Sequence, residues 1–280
     1  KLFHLQAGET SYVMKICHHN YLSHIYWGRR INESNESDQI QFKYRLFSPQ
    51  PEGFDRTFSL DTLPQEYPAY GNTDFRSPAY QIKFLNGTTV TDFKYKSFRI
   101  YKGKRKLDGL PATYIEEDGE ATSIDITLTD EQAGLIVVLT YSTYEQYNAI
   151  TRSVRFINHG EEPVKILRAM SASVDFRESR FDVLTLYGAH ANECNLSRKS
   201  LSPGSQLIES SRGASSHQHN PFICLVQPET TEDYGEAYGI SLVYSGNFLA
   251  QAEVDQFETT RLFIGINPFN FSWKLEAQET

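Results

Sequence analysis

Two loops hold the residues whose types and spacing can do chemistry. The first, TLPQEYPAYGNTDFRSPAY over 62–80, sets Asp74 two residues before Arg76 among Tyr67, Tyr70, Phe75 and Tyr80. Pro64, Pro68 and Pro78 each remove a backbone donor and restrict φ, and Gly71 admits positive φ, so the segment reads as an ordered loop. Linkers are poor in aromatics and this run is dense in them, which makes it a platform. Two readings stand: a self-packed loop whose Asp74 and Arg76 hydrogen-bond internally, or a surface that meets a partner or a sugar. Just upstream, Pro49, Pro51 and Gly53 break an aromatic strand ending in Asp55-Arg56. A guanidinium after such a turn can donate several hydrogen bonds to hydroxyls or to a carboxylate, or settle into an ordinary surface ion pair.

The second loop, ESSRGASSHQHNPF over 209–222, combines small residues with Arg212, His217, His219 and Asn220. A His-x-His pair on a strand puts both imidazoles on one face, as metal sites sometimes do, but no further Cys, His or Asp cluster supplies the missing ligands. His18 and His19 are adjacent, so an extended chain points them to opposite faces, and they read as a turn. Neither a metal nor any other cofactor is expected. Cys17, Cys194 and Cys224 are odd in number and widely spaced, which indicates neither a disulfide framework nor a zinc site; a reducing cytoplasm is the simplest home.

The elements that must position these loops are strands. Period-two alternation recurs almost everywhere, and no long segment sustains a helical stripe. Strands are expected at 11–16, 22–26, 79–84, 89–101, 123–128, 135–141, 149–158, 164–174, 183–187, 222–226, 238–244, 249–257, 260–266 and 270–275. Asn86-Gly87 reads as a hairpin turn between 79–84 and 89–101, and NHGEEP as one joining 149–158 to 164–174. In the latter pair Ile150, Val154 and Phe156 should face a core, with Arg155 and His159 solvated. The stretch GAHANECNLSRKS reads as polar connection. Parallel sheets need crossovers long enough for helices, so this pattern implies an all-β fold, a large antiparallel β-sandwich forming one domain over 1–280. It excludes a (β/α)₈ barrel within these residues.

A net charge of -8 argues against a nucleic-acid binder, since the basic field is missing. The basic run Lys102, Lys104, Arg105 and Lys106 reads as a hairpin tip. No apolar run approaches membrane-spanning length, and no signal peptide is evident. The chain begins at Lys1 and stops at FSWKLEAQET without a terminating turn, which suggests a piece of something longer.

TLPQEYPAYGNTDFRSPAY, ESSRGASSHQHNPF, YSGNFLAQAEVDQF and IGINPF, in that order, resemble the N-terminal region of bacterial α-galactosidases of glycoside hydrolase family 36, and the resemblance covers essentially the whole chain. It implies a β-supersandwich related to galactose-mutarotase-like domains, followed in the intact enzyme by a catalytic (β/α)₈ barrel. It implies retaining hydrolysis of terminal α-linked galactose, as in melibiose and raffinose-type sugars, by two barrel aspartates roughly 5 Å apart. No catalytic residue is then expected between Lys1 and Thr280. This segment would contribute assembly, commonly as a tetramer, and the rim of the sugar pocket. Phe54-Asp55-Arg56 matches a substrate-proximal arginine of the family, which makes Arg56 the first candidate for sugar binding, with Asp74 and Arg76 behind it. Where some relatives carry a sugar-binding acid, this chain reads Phe42-Lys43-Tyr44, which puts an aspartate contact in doubt. Two rivals remain: a mutarotase-like epimerase using His217 or His219 with Glu253, and a lectin-like galactose-binding module.

Overall fold

A computed structural model describes residues 1–32, 48–50 and 58–280. Within them the chain forms seventeen strands and three short 3₁₀ turns, and every strand pair is antiparallel. The all-β, antiparallel expectation is met. The residues fall into two compact units, one of Lys1–Lys106, Thr113–Ala169 and Ser272–Thr280, the other of Leu107–Ala112 and Met170–Phe271.

In the first unit β1 (Leu2–Ala7), β2 (Thr10–Ile16) and β3 (Leu22–Arg29) make a meander. β5 (Lys94–Lys102), β6 (Thr122–Asp130), β7 (Leu135–Tyr144) and β8 (Ala149–Asn158) make a second, in that order. Alternation explains the latter: Ile124, Ile126 and Leu128 of β6 and Val137, Leu139 and Tyr141 of β7 all lie within the core. β4 (Tyr80–Lys83) and β17 (Trp273–Leu275) pair with the first part of β9 (Val164–Phe176).

In the second unit β10 (Asp182–Ala189), β11 (Asn192–Ser200), β13 (His219–Val226) and β14 (Ala237–Ser241) form a sheet ordered β11-β10-β13-β14. β12 (Gly204–Glu209), β15 (Phe248–Val254) and β16 (Thr260–Ile266) follow one another in a ladder that continues onto the latter part of β9. β16 reads RLFIGI without alternation because both its faces are buried, and Arg261 there sits opposite Asp175 of β9, bonded through Nε at 2.7 Å and Nη2 at 2.8 Å.

Two expected hairpins are corrected. Asn86-Gly87 does form a turn, with Asn86 Oδ1 accepting from the Thr88 amide at 3.0 Å, but β4 pairs with β9 and β5 with β6. Likewise β8 pairs with β7, while β9 pairs with β4, β16 and β17. A turn signal specifies that the chain reverses; it does not specify that the flanking strands share a ladder. Two strands that polarity concealed, β11 and β12, are edge strands with largely exposed side chains. The aromatic strand expected from Ile40 falls mainly on 40–47 and 51–57, outside the described residues.

Candidate functional site

The 62–80 loop is built as a braced platform. Arg76 closes onto Asp74 with two prongs, Nε to Oδ1 and Nη2 to Oδ2, both 2.9 Å, and Nη2 also donates to the Leu60 and Leu63 carbonyls at 2.9 and 3.2 Å. Asp74 accepts in addition from the Arg76 amide at 3.0 Å and from Gln65 Nε2 at 2.5 Å. Both charged residues are buried. Of the two sequence readings, the internal pairing is the one their geometry supports: each is occupied in holding the loop. The amide of Gly71 (φ 94) closes on the Asp74 carbonyl at 3.0 Å, a conformation an L side chain rarely adopts.

Beneath the loop a second brace converges on Glu66, which is wholly out of solvent. Its Oε1 accepts from Tyr12 and Tyr141 hydroxyls, each at 2.6 Å, and faces Arg152 at 2.9 Å; its Oε2 lies 3.3 Å from His24 Nδ1. Burial by itself would raise this carboxyl, but the Arg152 charge, then His24 and the Tyr12 hydroxyl, more than offset it and hold Glu66 below the ordinary carboxylate range. Burial pushes the Tyr141 hydroxyl well up, so it donates as a neutral phenol. The backbone joins in: His24 and Ser23 both donate to the Pro64 carbonyl, at 3.0 and 2.6 Å, and the Glu66 amide reaches the Leu22 carbonyl at 3.2 Å. Tyr67 stacks on Tyr80 at 5.3 Å, and Tyr80 meets Phe93 edge-on at 5.4 Å.

What this bracing presents outward is aromatic. Tyr70 and Phe75 are both exposed, Phe75 by 58 %, and their rings meet edge-on at 5.8 Å. Asn72 beside them is held by Asp92 at 2.8 Å, which also accepts from Tyr21 at 2.6 Å. The cavity under the loop, bordered by Tyr21, Gln65, Asn72, Asp74 and Asp92, measures ≈ 20 Å³, which admits water and not a sugar ring. Nothing in the sequence pattern pointed to Tyr12, His24, Tyr141 or Arg152 as partners of this loop, because they come from distant strands.

The other candidates are placed as follows. Arg56, with Phe54-Asp55 and Phe42-Lys43-Tyr44, lies outside the described residues. His219 opens β13 opposite Tyr187, and no hydrogen bond joins His217 or His219 to Glu253 among the described residues, so the acid and base of an epimerase are not paired there. Among the described residues no group of three or more His, Cys, Asp or Glu could hold a metal. Cys17, Cys194 and Cys224 form no disulfide, and burial pushes the Cys224 thiol up to about 11. No helix among the described residues is long and apolar enough to cross a membrane.

Comparison with known proteins agrees with this architecture. The chain is 55 % identical over 280 residues to α-galactosidase AgaA of Geobacillus stearothermophilus, covering 100 % of this chain and 38 % of that protein. It is 42 % identical over 280 residues to α-galactosidase Mel36A of Lactobacillus acidophilus, again covering 100 % of this chain and 38 % of the relative. A crystal structure of an AgaA variant in complex with raffinose superposes with a TM-score of 0.97 at 55 % identity, covering 100 % of this chain and 39 % of that one. The chain thus spans well under half the length of the proteins it resembles. The family described as glycosyl hydrolase family 36 N-terminal domain matches residues 20–276, and to that family this chain belongs.

Proposed function

We propose that the chain is the non-catalytic N-terminal part of a retaining α-galactosidase acting on raffinose- and melibiose-type sugars. One observation carries the reading: all 280 residues align at 55 % identity with α-galactosidase AgaA over only 38 % of its length. A retaining mechanism needs two carboxylates roughly 5 Å apart, one attacking and one exchanging a proton. Three of the buried acids, Asp74, Glu66 and Asp175, serve another purpose, since each is held by an arginine. The reaction then belongs to a (β/α)₈ barrel of the same polypeptide, with this chain forming one β-supersandwich domain beside it in a cytoplasmic tetramer.

In this reading the braced loop forms part of the pocket rim. Tyr70 and Phe75 offer aromatic faces on a braced backbone, and Asp74 and Arg76 act through the loop they hold, not by touching sugar. Arg56 is the residue proposed to bond sugar hydroxyls directly, on the strength of its Phe-Asp-Arg motif.

The test is an assay of this chain alone against an aryl α-galactoside, beside the polypeptide extended through the barrel. No turnover by the chain and turnover by the extended protein is the expected result; hydrolysis by the chain alone overturns the division. Calorimetry with galactose and raffinose should give no saturable heat for the chain alone, and saturable heat would assign a lectin-like module. In the extended protein Arg56→Ala should raise KM for raffinose with little loss of thermal stability, and unchanged kinetics would remove Arg56 from the rim.

A further inference from the structure

β5 is the outermost strand of its sheet, so along one side no strand lies next to it among the described residues. Such an edge presents a row of N–H and C=O groups to whatever approaches, and proteins commonly shorten, bulge or cover it. β5 carries one of these devices, a register shift between Tyr95 and Ser97. Past that point pairing with β6 runs unbroken from Ser97 opposite Thr127 to Lys102 opposite Thr122, a straight edge about 20 Å long at about 3.4 Å per residue. No backbone bond other than the β5–β6 ladder involves 94–102 among the described residues.

The side chains along this edge are of two kinds. Residues 96–100 are all exposed, and they include Phe98 at 40 % and Ile100 at 59 %. Phe98 lies opposite Ile126 and Ile100 opposite Ile124, so the apolar face of β6 continues onto β5, where Phe3 meets the Phe98 ring edge-on at 5.3 Å and the Lys1 ammonium lies over it at 4.4 Å, leaving Ile100 the more open of the two. Ile100 also lines an open groove of ≈ 380 Å³ with His4, Gln6 and Thr122; Glu120 and Glu145 line it too, so it has room for apolar side chains of an added segment and not for its carboxylates. The second kind is cationic. KYKSFRIYKGKRK over 94–106 carries seven Lys or Arg and no acid, in a chain of net charge -8. Lys94 is paired with Asp92 at 3.2 Å and Arg105 with Asp125 at 3.5 Å, whereas Lys96, Arg99 and Lys102 have no ion pair among the described residues.

We propose that the 97–102 edge of β5 is a docking site for an extended acidic polypeptide segment, which adds to the sheet as a further strand. Its backbone takes up the outward N–H and C=O groups, its apolar side chains lie over Ile100 and the open part of Phe98, and its carboxylates, on the opposite face, meet Arg99, with Lys96 and Lys102 flanking the two ends of the edge. Charge selects this occupant over the same strand of a second copy. Two copies of this edge would bring their cationic 94–106 runs side by side, like charge near like. A nucleic acid would meet the cations but has nothing to match a strand's alternating donors and acceptors.

The probe is a fluorescein-labelled peptide of alternating Glu and Val, titrated with purified protein and followed by anisotropy. Saturable binding is expected, weakened by added salt and by about tenfold or more in the Lys96→Glu/Lys102→Glu variant. Both substituted residues are exposed, and an unchanged melting temperature confirms that the variant is folded. A Lys-Val peptide, and a Glu-Val peptide N-methylated at alternate residues, should not bind. The methylated peptide tests strand addition without altering the protein. Absence of saturable binding, undiminished binding by the variant, or equal binding by either control peptide overturns the proposal. So does displacement of the probe by a single-stranded oligonucleotide, which would make the edge a general polyanion site. Self-association lost in the variant would also overturn it, by assigning the edge to a second copy.

Discussion

Glu66 and Arg152 meet at 2.9 Å, the carboxylate wholly buried and the guanidinium 11 % exposed, and they join a loop to a strand 86 residues further along. The guanidinium also lies over the Tyr141 ring at 4.8 Å and takes part in bonds of 3.2 Å to both the Tyr12 and Tyr141 hydroxyls. A buried pair is not automatically stabilising against an apolar replacement, but removing one partner strands the other's charge. Arg152→Met should therefore lower unfolding free energy in urea by about 3–5 kcal/mol. Glu66→Gln/Arg152→Met should lose less than the two single variants together, because no lone charge remains. Additive losses would show that the two residues act independently.

The same carboxyl predicts an acid limit. Glu66 has its folded-state pKa depressed below the ordinary value of 4.5, so its contribution is full above that value and disappears as pH falls from 4.5 through the depressed one. Stability measured by urea titration should decline across that interval. Glu66→Gln should be less stable at neutral pH yet decline less steeply in acid. Parallel pH profiles for the two proteins would place the acid sensitivity elsewhere.

Arg76→Lys keeps the charge of the platform clamp and removes its fork. One ammonium cannot reproduce two bonds to Asp74 and two to the Leu60 and Leu63 carbonyls, so buried acceptors are left unsatisfied at about 1–3 kcal/mol. The loss should be local. Hydrogen exchange at the Gly71 and Ala79 amides, which bond within the loop to Asp74 and Pro68 carbonyls, should speed up while β6 and β7 amides stay protected. Uniform acceleration would mean that the loop is not a separate cooperative element.

How much of this was legible in the sequence depends on whether a feature is local. β8 (Ala149–Asn158) and β16 (Thr260–Ile266) could be read to the residue because β-branched and aromatic runs end at polar turns. β11, NECNLSRKS, could not, since it is exposed on both faces and shows no alternation. The partners of β4 and β9 were hidden because ladders between distant segments leave no trace in a turn signal. In the site, Asp74 and Arg76 are two residues apart and their pairing was one of two open readings, whereas the Glu66 brace draws on β2, β3, β7 and β8 and was invisible.

Gly134 tests the packing of one turn against another. It follows β6 with φ +67, its carbonyl accepts from the His159 amide at 2.8 Å, and a Cβ there would meet Gly160 Cα at 2.9 Å and Gly160 N at 3.0 Å. Those are backbone atoms, so relief requires the two turns to separate, which also stretches the bond to His159. Gly87 is the control, since its φ is +87 but a Cβ there meets nothing within 4 Å. Gly87→Ala should cost about 1 kcal/mol from left-handed backbone strain alone. Gly134→Ala should cost about 2–4 kcal/mol, strain plus collision. Thermal unfolding of both variants separates these terms, and equal losses would show that the approach to Gly160 carries no weight.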